Sequence, residues 1–109
     1  MKLYNHSFAP NPRRVRIFLA EKGQLEQVEL IEVDLLAGEQ NSAAFREKNP
    51  YGGIPVLELD DSTYISESVS ISRYFEELYP NNPLLGQSAK EKAIIDMWQR
   101  RAEAGVLGT

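Results

Sequence analysis

Apolar positions along the chain change their spacing from one stretch to the next. Leu3 and Tyr4 predict a short first strand over residues 2–4, and the polar stretch 5–10 reads as a loop. Val15, Phe18, Leu19 and Lys22 then recur at intervals of three and four, the spacing of one helix face. Asn11 and Pro12 offer a helix start, with Asn as the cap and Pro at the first helical position, and Gly23 offers the stop. A helix is therefore predicted over 12–22, its Arg13, Arg14 and Arg16 forming a solvated basic face. Val28, Leu30, Ile31 and Val33, set among acidic residues, predict a second strand over 27–34.

The second half of the pattern differs. Residues 35–41 read as a loop, and Ser42 caps a short helix over 43–48. Asn49-Pro50-Tyr51-Gly52-Gly53 is a dense run of breakers. Strands over 55–59 and 63–65, joined by the turn Asp60-Asp61-Ser62, make a hairpin. Ser66-Glu67-Ser68 opens a helix with Ile71, Tyr74, Phe75 and Leu78 on its apolar face, ended by Pro80-Asn81-Asn82-Pro83. The order is βαβα and then ββα, an α/β arrangement with a four-stranded mixed sheet. Ser88 and Glu91 fit a capping box for one more helix, which carries Ile94, Ile95, Trp98 and Ala102. Such a face needs a partner surface, so the chain is expected to be the front part of something longer or to pair with another chain.

Composition narrows the chemistry. The 109 residues suit one compact domain, or one domain plus a stray element. Lys and Arg number 12 against 16 Asp and Glu, a formal net charge of −4 that disfavours nucleic acid as a partner. No apolar run has the length to span a bilayer, and the first residues lack the apolar stretch of a secretory signal. With no cysteine, disulfides, thiolate metal sites, Cys nucleophiles and dithiol exchange drop out together. A single histidine, His6, builds no metal cluster, and no metal is expected.

Three local signals carry candidate chemistry. The loop 7–10 runs into a helix N-terminus, where free N–H groups favour an oxyanion or thiolate; the same residues also make an ordinary β-to-α turn. Gly52-Gly53-Ile54-Pro55 precedes a strand. A cis bond before Pro55 would free the backbone of Ile54 to pair with an extended peptide, whereas a trans bond would leave a plain entry turn. At Ser66-Glu67-Ser68 a hydroxyl and free N–H groups suit a carboxylate and the Glu suits an ammonium, as an α-amino-acid head group requires; simple capping is the other reading.

In this order the signals resemble the N-terminal, thioredoxin-like domain of a cytosolic glutathione transferase. The resemblance rests on residues 9–23, on Asn49-Pro50-Tyr51-Gly52-Gly53-Ile54-Pro55-Val56-Leu57, and on Ile65-Ser66-Glu67-Ser68 leading into Ile71-Ser72-Arg73-Tyr74. It covers about residues 1–85, and residues 93–101 resemble the first helix of the family's all-helical second domain. It implies a glutathione-binding domain over 1–80, a linker over 81–87 and a truncated helical start over 88–109. It also implies a cytoplasmic detoxifying transferase that conjugates the glutathione thiolate to hydrophobic electrophiles, with a full-length parent that is a homodimer.

Carried over by position, the resemblance gives Glu67 and Ser68 to the γ-glutamyl head group and the backbone of Ile54, before a cis Pro55, to the cysteinyl part. Gln40 and Gly53 fall beside the glycyl carboxylate, Gly53 where many members carry Lys or Gln. The position of the activating Ser or Cys is Ala9, which has neither hydroxyl nor thiol; this matches a minority yeast-type and bacterial branch. Ser7 and Asn11 are left as the side chains able to assist the thiol. The loss of both side chains, at 9 and 53, equally suits a transferase-like binding module without turnover.

Overall fold

Leu3 and Tyr4 are neighbours on one strand and face opposite sides of the sheet, so each belongs to a different core. The computed structural model describes residues 1–105. Its sheet has the order β2-β1-β3-β4, built from β1 (Lys2–Asn5), β2 (Glu29–Glu32), β3 (Val56–Glu58) and β4 (Tyr64–Ser66). Strand β1 runs parallel to β2 and antiparallel to β3, and β3 runs antiparallel to β4, giving the mixed sheet of a thioredoxin-like fold.

On the Leu3 side lie helices α1 (Pro10–Glu21) and α3 (Ser68–Leu78), which bury Val15, Leu19, Ile71 and Phe75 against Leu57. On the Tyr4 side the one-turn helix α2 (Ala43–Arg46) brings Phe45 onto Tyr4, Val33 and Val56. The Tyr4 and Phe45 rings meet edge to face at 5.9 Å. A last helix, α4 (Ala89–Gly105), follows the linker. Residues 106–109 of the expected second-domain stretch lie outside the described residues.

Local chemistry explains most element ends. Helix α1 stops in a paired turn: Gly23, at φ +71°, donates to Ala20 and Gln24 donates to Leu19. Ser42 caps α2 by accepting from the Phe45 N–H at 3.1 Å. Ser88 and Glu91 form the expected reciprocal box, each side chain accepting from the other's backbone N–H. The two N–H groups of Gln87 and Ser88 hold the Glu91 carboxyl below its ordinary value.

Several expectations need correction. Helix α1 begins two residues early, at Pro10, with Ala9 as its cap, so Asn11 lies inside the first turn and caps nothing. Proline tolerates the first turn because its missing N–H has no helical partner there. The second strand is half the expected length, since Leu25–Gln27 forms a 3₁₀ turn ahead of it. Another 3₁₀ turn, Glu39–Asn41, interrupts the expected loop. Leu78 stays exposed, so the apolar face of α3 ends with Phe75 and Tyr74. The basic face of α1 is solvated only at Arg13: Arg16 donates to the Ser7 carbonyl and Arg14 to Gln99 of α4.

Candidate functional site

Two helix N-termini and one loop converge on a small groove. Its walls are Asn11 from α1, Asn49, Tyr51, Gly53, Ile54 and Pro55 from the loop before β3, and Glu67 and Ser68 from the start of α3, around a volume of about 80 Å³. The first turn of any helix leaves N–H groups without helical acceptors. Neither Ala9, the cap of α1, nor Glu67, the cap of α3, returns a side-chain hydrogen bond to them. Helix α3 therefore presents unoccupied donors toward the groove, whereas α1, with Pro10 and Pro12 in its first turn and the Arg13 N–H given to Ala9, offers only the Asn11 N–H; both bring a partial positive charge.

The loop is shaped by Asn49. Its buried side chain donates to the Gly53 carbonyl at 2.9 Å and accepts from the Tyr51 N–H at 3.2 Å. The Ile54–Pro55 bond is cis. Among the described residues the backbone of Ile54 has no hydrogen-bond partner, which leaves one N–H and one C=O for an extended ligand. Glu67 sits at φ +74°, a conformation that residues other than glycine seldom adopt and that clusters at functional sites. Its carbonyl still accepts the first helical bond, from Ile71. The exposed Glu67 carboxylate and the buried Ser68 thus stand side by side at the mouth of α3.

The groove opens into a larger crevice of about 380 Å³ between α3 and α4, which shares Asn11, Glu67 and Ser68 and adds Arg14, Arg73, Asp96, Gln99 and Arg100. Asp96 pairs with Arg100 at 2.9 Å and with Arg73. The Arg100 guanidinium holds the Asp96 carboxyl below its ordinary value, with Arg73 adding to the effect and desolvation opposing it.

Of the residues singled out in the sequence, Asn11, Gly53, Ile54, Pro55, Glu67 and Ser68 come together here. Ser7 and Gln40 are not among the lining residues. The Ser7 N–H and hydroxyl both donate to Glu32, at 2.8 and 3.2 Å. The backbone N–H of Ser7 is the main cause that depresses the Glu32 carboxyl. Gln40 is half-buried behind Gly52, and its side-chain oxygen lacks a partner among the described residues. Tyr4 serves the core: its hydroxyl donates to Glu58 at 2.7 Å, and burial pushes the phenol up, with Glu58 adding to the shift. Among the described residues no group of His, Cys, Asp and Glu is arranged to hold a metal ion, and no helix is long and apolar enough to cross a membrane.

Sequence reasoning missed Arg14, Asn49 and Tyr51. Arg14 was recoverable from its spacing, because a residue three positions after Asn11 shares its helix face. Asn49 and Tyr51 carried no periodic signal.

Comparison with known proteins adds to this geometry. A family model described as glutathione S-transferase, N-terminal domain, matches residues 3–83. Glutathione S-transferase 2 of Saccharomyces cerevisiae is 41% identical over 107 residues, which span 98% of this chain and 46% of that protein. Glutathione S-transferase Z1 of Arabidopsis thaliana is 38% identical over 94 residues, 86% of this chain and 41% of that one. Among solved structures, a glutathione S-transferase domain-containing protein of Marinobacter aquaeolei VT8 superposes with a TM-score of 0.95 at 44% identity, covering 99% of this chain and 53% of its own. Gtt2 of Saccharomyces cerevisiae gives 0.91 at 42%, covering 95% and 50%. The chain spans about half the length of the relatives it matches.

Proposed function

Since the chain belongs to the glutathione S-transferase family through its N-terminal domain, we propose that it is the glutathione-binding part of a transferase that joins the glutathione thiolate to hydrophobic electrophiles. The tripeptide lies extended in the groove. Its γ-glutamyl head group docks on Glu67 and Ser68, and its cysteinyl backbone pairs with Ile54 beside Pro55. The glycyl end runs past Gly53 toward Gln40. The thiol faces the N-terminus of α1, where Asn11 supplies a side-chain amide and Ala9 supplies nothing.

The physics is adequate without a hydroxyl at position 9. One unit of thiol pKa corresponds to about 1.4 kcal/mol. A helix N-terminus with one hydrogen bond to the charged form reaches about that much.

The observation that carries this reading is the backbone of Ile54, unpaired among the described residues, in the same groove as Glu67 and Ser68. Titration of the chain with glutathione tests it. Glu67→Ala and Ser68→Ala should each weaken binding by about tenfold, the loss of one charge-assisted contact. Unchanged affinity in both would refute the head-group assignment.

Most of the electrophile pocket and the dimer contacts fall to the rest of the parent, so the 109 residues alone should turn over little or no electrophile. Helix α4 turns polar Asp96 and Gln99 to Arg73 and Arg14 while Ile94, Met97 and Trp98 stay exposed, as a face covered in a homodimeric parent would. A second reading, a glutathione-binding module without turnover, is favoured by one observation: the α1 cap carries no polar side chain. Binding that survives in a full-length parent devoid of conjugating activity would select it.

A further inference from the structure

Leu78 shares the helical spacing of Ile71 and Tyr74, yet it stays 43% exposed and opens onto a groove that the glutathione reading does not use. The groove has a volume of about 390 Å³ and is lined by Met1, Leu59, Asp60, Asp61, Tyr74 and Leu78. It lies at the far end of the domain from the site described above. Tyr4, Val56 and Ser66 stand level at one end of the sheet, next to Pro55 and Glu67, whereas Lys2, Glu58 and Tyr64 stand level at the other, next to Met1 and Leu59. Helix α3 separates Ser68 from Leu78 by about 15 Å. The floor of the groove is apolar: Met1, Leu59 and Tyr74 pack on the core that holds Leu3 and Phe75. Its rim is acidic. The Asp60 side chain is 90% exposed, and the hydroxyl and N–H of Thr63 hold the Asp61 carboxyl below its ordinary value, so it keeps its charge. Among the described residues no lysine or arginine lines the groove.

We propose that this groove is a second ligand site, for a small amphipathic cation: an ammonium carried on an aryl or alkyl body. Met1 already shows the chemistry. It joins an apolar side chain to an ammonium, and it sits with the side chain against the core and the ammonium on Asp60 at 2.9 Å. That contact uses one Asp60 oxygen. The second oxygen and the Asp61 carboxylate border the same groove, and among the described residues neither pairs with a further cation. Two carboxylates against one ammonium leave the rim negative, which favours a cation and repels an anion. Tyr74 and Leu78 take the apolar body. The size selects a small molecule: pockets of this volume hold compact ligands, whereas a stable protein interface buries about 1,200 Å² or more. Exposed ion pairs are weak, so the apolar floor supplies most of the affinity and the rim supplies the choice of charge. The site is independent of the glutathione reading, and the two fall separately.

The test titrates the 109-residue chain with three ligands that share one phenethyl body: phenethylammonium, phenethyl alcohol and 3-phenylpropionate. Two-dimensional NMR should show amide shifts at residues 59–61 and 74–78 and none at Gly53, Glu67 or Ser68. Phenethylammonium should bind about threefold to fivefold more tightly than the alcohol and about tenfold more tightly than the carboxylate. Salt at about 0.5 M should bring both ratios toward one. Asp60→Asn with Asp61→Asn removes the charge and keeps an acceptor oxygen at each position. It should lower phenethylammonium to the affinity of the alcohol, whose own binding stays within about twofold. Leu78→Ser should weaken all three ligands alike by about threefold or more. Should the double variant not fold, the ligand ratios on the unmodified chain and their salt dependence decide the matter. Equal affinity for all three ligands would make the groove a plain apolar patch and overturn the proposal, as would shifts confined to the glutathione groove. No saturable shift up to about 20 mM ligand would overturn it as well. So would shifts at residues 59–61 and 74–78 that follow protein concentration without any ligand, because a second copy of the chain would then be covering Leu78.

Discussion

Lys22 and Glu76 form an ion pair at the base of the domain, the lysine side chain wholly shielded from solvent and the glutamate nearly so. The pair fastens a strap. Lys22 also donates to the carbonyls of Tyr79 at 2.9 Å and Asn82 at 3.0 Å, and Glu76 accepts from the N–H groups of Leu84 and Leu85. Asn82, at φ +56°, adds a bond back to the Glu21 carbonyl. The linker from α3 to α4 is therefore wound around a buried ammonium that replaces the missing helical donors. The helix periodicity that grouped Lys22 with Val15 and Leu19 was right about its burial and silent about its charge.

Removing the lysine should cost much of the domain's stability. Lys22→Met leaves a shielded carboxylate and several carbonyls without their cation, and breaking a buried pair from one side costs about 3–5 kcal/mol. Urea denaturation should show a midpoint shift of that size with an unchanged slope. A loss below about 1 kcal/mol would mean the strap is held by its other contacts.

Acid should loosen the same strap. Burial opposes ionisation of Glu76, but the Lys22 ammonium and the N–H groups of Leu84 and Leu85 outweigh it, so the carboxyl titrates below its ordinary 4.5. A group depressed in the folded state contributes its full stability above the unfolded value and loses it as pH falls through the folded one. Stability should be flat near neutrality and decline below about pH 4.5, and Glu76→Gln should be less stable at pH 7 with a shallower acid decline. Denaturation midpoints between pH 7 and pH 3 measure both. An equally steep decline in the variant would assign acid sensitivity to other carboxylates.

What the sequence disclosed and what it hid divide along physical lines. Breakers and caps act locally, so Gly23, Ser42, Ser88 and Glu91 could be read from neighbouring residues, and each performs the bond expected of it. The groove emerged because Ile54-Pro55 and Glu67-Ser68 carry their signals in short runs. Asn11 was assigned to the helix cap because Asn caps well in general; an earlier proline, Pro10, takes the first helical position and moves Asn11 into the groove wall. The fates of Ser7 and Arg14 depend on Glu32 and Gln99, 25 and 85 residues away, and no local pattern encodes such meetings. The positive φ of Glu67 is likewise imposed by the fold, since glutamate has no preference for it.

The adjacent glycines 52 and 53 should respond in opposite ways to a side chain. Gly52 sits at φ +72°, and an added Cβ would lie 3.0 Å from the Gln40 carbonyl and 3.1 Å from Asn41 Oδ1. Gly52→Ala should therefore lose about 1–2 kcal/mol or more from the backbone conformation and the clash together. At Gly53 the nearest atom to an added Cβ is the Asn49 amide nitrogen at 3.8 Å, an ordinary contact. Gly53→Lys should leave stability within about 0.5 kcal/mol. It should also tighten glutathione binding several-fold by giving the glycyl carboxylate a cation. Thermal midpoints with glutathione titrations check both, and a Gly53→Lys variant that folds normally without gaining affinity would move the glycyl end elsewhere.

The thiol should depend on Asn11 and ignore Ser7. A serine hydroxyl has one proton to donate, and that of Ser7 goes to Glu32, which also takes the Ser7 N–H. Asn11 instead lines the groove, in the first turn of the helix whose N-terminus favours negative charge. Hydrogen bonds to charged groups are worth about 1.5–3 kcal/mol, which is about one to two units of thiol pKa. Asn11→Ala should accordingly raise the pKa of bound glutathione by about one unit or more, while Ser7→Ala should leave it within about 0.3 units because no bond to the sulfur is lost. Thiolate absorbance followed against pH, with glutathione saturating each variant, reads the two effects separately. A rise in Ser7→Ala comparable to that in Asn11→Ala would mean that ligand binding turns the hydroxyl away from Glu32 and onto the sulfur.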